Sequence, residues 1–110
     1  MKRGRLSLLL IPGLCLLSFA AQADDAYTLS IKNHRFEPVE LKVPAGRRLE
    51  LQIRNQDSSA EEFESYELNR EKIVAGNQSA TVYIGPLVAG RYPFFGDFNR
   101  DTARGTIVAQ

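Results

Sequence analysis

The apolar residues of this chain come in short alternating runs. Tyr27, Leu29 and Ile31 take every second position in "YTLSI". Val39, Leu41 and Val43 do the same in "VELKV", and Leu49, Leu51 and Ile53 in "LELQI". Later runs are "KIV", "ATVYI", "RYPFF" and "GTIVA". A period of two sends one side of a strand into a core and the other into water. Turn formers separate the runs: Pro38, Pro44-Ala45-Gly46, Asn55-Gln56-Asp57, Gly76-Asn77, Gly85-Pro86, Gly90 and Gly105. The pattern predicts an all-β, Greek-key sandwich of about seven strands. Only "SAEEFESYELNREK" is Glu-rich enough to compete as a helix. Within it, Glu62–Tyr66 reads as a strand and Glu67–Glu71 as a turn or short helical excursion.

The alternation starts only after an N-terminal segment of another kind. "MKRGR" is basic, "LSLLLIPGLCLLSFAA" is apolar and "AQA" is a small-x-small cleavage signal. Residues 1–23 therefore read as a secretory signal peptide, removed on export, which implies a periplasmic protein. Cys15 lies in the apolar part and Met1 starts the chain, so a mature domain of residues 24–110 has neither thiolate nor thioether. Loss of Lys2, Arg3 and Arg5 leaves 11 basic residues against 13 acidic ones, a formal charge of −2 with His neutral. No basic patch marks a nucleic-acid partner. One His and no nucleophile motif give hydrolytic catalysis no support.

Three stretches carry a family resemblance. "FEPVELKVPAG" (residues 36–46) resembles the F-x-P-x-x-I/L-x-V-x-x-G opening of cupredoxins. "IRNQD" (53–57) resembles the N-x-D before their first ligand His, and "LVAGRYPFFGDFN" (87–99) their P-G-x-Y-x-F-x-C-x-x-H. Order and spacing match over nearly all of the mature chain, which implies a cupredoxin-like fold. The ligands differ. The match puts Glu61 or Glu62 at the first His, Gly96 at the Cys and Asn99 at the second His, with no Met near Ala103. A type 1 copper centre needs a thiolate and two imidazoles, so its chemistry is excluded here.

Oxygen donors stand in those regions instead: Glu61, Glu62, Glu64, Asp97 and Asp101, with His34 as the one imidazole. Hard carboxylates suit iron better than Cu(I). The swap, and Glu62-Phe63-Glu64 as a Glu-aromatic-Glu strand, resemble the EfeO cupredoxin domain and the small FtrB-type subunits that accompany bacterial iron permeases. That resemblance implies a periplasmic accessory that holds iron, Fe(II) or Fe(III), or helps to oxidise it, for a membrane iron permease and its other uptake subunits. Two alternatives stay open. His34 with carboxylates is a donor set for Cu(II), and a metal-free sandwich would serve as an interaction subunit. The acids also have an ordinary reading as a solvated face.

Following the strands up and down predicts that His34, Glu61–Glu64 and Asp97–Asp101 share one end of the sandwich. Glu62 and Glu64 point to one side of their strand and Phe63 to the other.

Overall fold

The computed structural model describes residues 25–110; the expected leader lies outside them. The described residues form nine strands: β1 (Asp25–Lys32), β2 (Arg35–Glu37), β3 (Glu40–Val43), β4 (Leu49–Asn55), β5 (Glu61–Ser65), β6 (Arg70–Val74), β7 (Ser79–Ile84), β8 (Gly90–Gly96) and β9 (Arg104–Ala109). A single 3-10 turn, Asp97–Asn99, follows β8. The strands build two facing sheets, ordered β2-β1-β4-β7 and β3-β9-β8-β5-β6. β1 pairs with β4, and β3 with β9, in parallel; the other pairings are antiparallel.

The all-β sandwich is as expected, with one added strand and one shifted boundary. β2 is a three-residue strand inside "KNHRFEP", which reads as a loop because it has one apolar residue, Phe36. The "KIV" run gives the edge strand β6, which begins earlier, at Arg70, and takes in Glu71 after a turn at Tyr66–Asn69; no helical excursion forms. Tight turns fall at Asn33, His34, Asn69 and Asn77, all with positive φ. Asn is among the few residues that enter this region at low cost.

The core follows the alternation. Leu29, Ile31, Leu49, Leu51, Ile53, Val82, Ile84 and Ile107 are buried between the sheets. Phe36, Phe63 and Phe94 meet at their centre, with ring centroids 4.9–6.2 Å apart. The two contacts of Phe36 are edge-to-face, a geometry worth about 0.5–1.5 kcal/mol beyond the buried area. Val39 departs from its predicted inward place. It precedes β3 and is 62 % exposed, although its carbonyl accepts the Thr106 N–H.

Candidate metal centre

The end of the sandwich that carries the site is organised by the N-x-D stretch. Asn55 is buried; its Nδ2 donates to the carbonyls of Ser59 (2.9 Å) and Val74 (3.1 Å), and its Oδ1 accepts the Asp57 N–H. Asp57 in turn accepts the backbone N–H groups of Asn33 (2.8 Å) and His34 (2.9 Å), the two positive-φ residues of the β1–β2 turn. The His34 bond is the main cause that lowers the Asp57 pKa. Two polar side chains thus tie three loops together.

β5 then presents its residues alternately. Glu61, Phe63 and Ser65 face inward; Glu62 and Glu64 face outward. Glu61 is 2 % exposed. Its Oε1 accepts the N–H groups of Glu62 (2.9 Å) and Phe98 (2.8 Å), and its Oε2 accepts Asn99 Nδ2 (2.8 Å). Beside it lies Gly96. A Cβ there would sit 2.5 Å from Glu61 Cδ and 2.7 Å from the Ala103 Cβ. The Gly96 backbone is ordinary extended chain, φ −96°. Glycine is needed here for space, not for conformation.

The resemblance left Glu61 and Glu62 both open as the residue at the first ligand position. Burial decides for Glu61: it meets Gly96 and Asn99, which match the other two ligand positions. The three are hydrogen-bonded or packed against one another and supply no thiolate and no imidazole. They do not fit a blue-copper centre.

The outward face holds a different set. Glu62, Glu64 and Asp97 each bring a carboxylate oxygen within 4.8 Å of the others. Glu71, opposite Glu64 on β6, stands next to them. Partial burial, first, and then the charge of Glu71 raise the pKa values of Glu62 and Glu64. One cation answers these acids directly. Arg100 Nε donates to Asp97 Oδ1 at 2.7 Å, and the guanidinium lies 4.8 Å from the centre of the Phe95 ring. The bond to Asp97, and then one to Tyr66, raises the Arg100 pKa.

Of the six residues singled out in the sequence, three come together: Glu62, Glu64 and Asp97. Glu61 points the other way and is enclosed. Among the described residues, His34 and Asp101 join no group of metal-reaching side chains. His34 is at the same end, as expected, but is exposed; its Nε2 is 3.5 Å from Ser59 Oγ and its carbonyl accepts Thr102 Oγ1 at 2.6 Å. Asp101 is exposed in the turn before β9. Sequence reasoning missed Glu71 as a neighbour of the site. The signal was the odd spacing across a hairpin, which sets Glu64 opposite Glu71.

A family model for the cupredoxin-like domain matches residues 6–109. The chain belongs to the cupredoxin-like domain family. An uncharacterised protein of Rickettsia prowazekii is 45 % identical over 80 residues; this covers 73 % of the chain and 64 % of that protein's length. Among solved structures, auracyanin A, a blue copper protein of Chloroflexus aurantiacus, has a TM-score of 0.69 at 14 % identity, covering 80 % of this chain and all of that one. Amicyanin of Paracoccus versutus has a TM-score of 0.62 at 15 % identity, with 83 % and 87 % covered. The metal-binding domain of a Cu(I)-exporting ATPase of Streptococcus pneumoniae has 0.65 at 13 %, with 77 % and 84 % covered. At these identities the structures speak for the fold. The cupredoxin domain is thus combined here with a changed set of residues at the family's ligand positions.

Proposed function

We propose that this cupredoxin-like protein binds a hard cation, iron, on the outer face of its five-stranded sheet, through Glu62, Glu64 and Asp97. The observation that carries this reading is the trio of carboxylate oxygens within 4.8 Å of one another. Three oxygen donors at this spacing suit Fe(II), Fe(III) or Mn(II) better than Cu(I). Partial burial, and then crowding by Glu71, raise the pKa values of Glu62 and Glu64, and a divalent ion would offset the crowding. Binding displaces protons from these two acids and draws Asp97 away from Arg100. A half-buried, outward-facing site of three donors leaves the rest of the coordination shell to water or to a receiving protein. That suits a carrier in the periplasm that hands iron to a membrane permease, the role that the likeness to iron-uptake subunits suggests.

Cu(II) is the second reading. Divalent affinity at mixed sites rises toward copper, and several similar structures are copper proteins by description.

Calorimetric titration of the metal-stripped protein with anaerobic Fe(II), Mn(II) and Cu(II) tests both. We expect saturable iron and manganese binding that Glu62→Gln with Glu64→Gln abolishes and that Glu67→Gln, an exposed acid outside the trio, leaves unchanged. Saturable copper binding without iron or manganese binding would establish the second reading. No saturable binding of any of the three would overturn both and leave the metal-free role.

A further inference from the structure

A second charged region lies away from the carboxylates. β1 ends on Lys32 and β2 begins on Arg35, and the two are direct cross-strand partners. Like charges in that relation destabilise a sheet. Among the described residues, neither makes an ion pair, nor does Arg104. These three cations rim a groove of about 410 Å³ whose one acidic lining residue is Glu37. Its exposed apolar surface comes from Val39, 62 % exposed, above the buried Phe36. Val39 is the residue that the alternation assigns to the core and the structure places outside.

β2 is also the last strand of its sheet. An edge strand can receive an extended segment as a further strand. A concave shape with an apolar base fits a polypeptide better than a flat bilayer surface or a free inorganic anion.

We propose that this groove binds an extended acidic segment of a partner protein. An apolar side chain of the segment would rest on Val39, and its flanking carboxylates would pair with Lys32, Arg35 and Arg104. The like-charged pair Lys32–Arg35 is then a cost in the free protein that the partner removes. The groove shares no lining residue with the Glu62, Glu64 and Asp97 trio, so the two proposals stand or fall separately.

Fluorescence anisotropy of the full chain with a labelled peptide of alternating Glu and Leu tests this. A Gln-for-Glu peptide, inorganic phosphate and phosphatidylglycerol vesicles serve as further arms. We expect saturable binding of the acidic peptide, weakened by salt and absent with the Gln peptide. Lys32→Gln with Arg35→Gln should weaken it about tenfold. The same pair should change the thermal midpoint little, because it removes the repulsion along with the attraction of Lys32 to Asp57. Lys42→Gln, an exposed cation outside the groove, should change nothing. Peptide binding that survives Lys32→Gln with Arg35→Gln would overturn the proposal. So would no peptide binding at low salt, or binding of phosphate or vesicles alone.

Discussion

Glu61 and Glu62 are neighbours in the chain and lie in opposite environments. Glu61 is enclosed, meets three N–H donors and presses on Gly96. Glu62 stands on the outer face among Glu64, Glu71 and Asp97, where partial burial, first, and then like charges raise its pKa. One carboxylate is satisfied by the fold; the other is left with a deficit that the fold does not repair. A buried polar group must be hydrogen-bonded or it destabilises the structure. A crowded, half-buried acid on an outer face is under less demand, and it stays available for a ligand. The residue that holds the family's first ligand position has thus become part of the architecture, while the candidate chemistry has moved one residue along and through the sheet.

The largest effects should come from the enclosed side. Glu61→Ala leaves three partly buried donors without their acceptor, at roughly 1–3 kcal/mol for each one that water does not reach. Gly96→Ala drives a methyl group into Glu61 and the Ala103 side chain, an overpacking cost of about 1–3 kcal/mol. Urea unfolding should show both losses, and the double variant should cost less than their sum, because the shortened side chain makes room. Strict additivity would separate residues that we hold to be coupled.

The loops should respond next. Asp57→Ala removes two hydrogen bonds to the β1–β2 turn, at about 0.5–1.5 kcal/mol each. The Asp57 pKa is lowered in the folded state, so its contribution is present above its ordinary value of 3.8 and is lost as pH falls through the lowered one. Acid unfolding of the variant should therefore lose part of its dependence on pH in that range.

On the outer face the sign reverses. Glu62 and Glu64 hold protons more firmly folded than unfolded. Stability should fall as pH rises from their ordinary value of 4.5 through their raised values. Cation affinity should climb over the same interval as protons leave. Glu62→Gln with Glu64→Gln should flatten both trends and should not lower the thermal midpoint. A clear loss of stability would mean that these acids serve the fold as Glu61 does.

The smallest effect tests the one tethered cation. Arg100→Gln releases Asp97, and Mn(II) affinity measured by calorimetry should rise a few-fold. A fall would mean that Arg100 helps to hold the site in shape.

Much of this was legible in the chain. The alternation marked the core residues of β1, β4 and β5, and it set Glu62 and Glu64 to one side against Phe63, because strand geometry turns every second residue over. The position of Gly96 and the wealth of acids around it were equally plain. Val39, β2 and Glu71 were not. Val39 continues a regular pattern but lies just before the strand, where that pattern no longer governs. β2 has too few residues for any period to show. Glu71 belongs to the site through the register of β5 with β6; its odd spacing from Glu64 allows that pairing, but the turn between the strands selects it.

The local chain by itself determined the strands, the sheet-forming faces and the loss of thiolate and imidazole at the ligand positions, since these rest on periodicity and residue chemistry. Only the tertiary structure decided which of two adjacent glutamates is enclosed, and that Asp97 and Glu71 stand beside Glu62 and Glu64 while His34 and Asp101 do not. Those are outcomes of packing. Gly96 opens a space that only Glu61 is placed to fill, and the pairing of β5 with β6 and β8 selects the side chains that share the outer face.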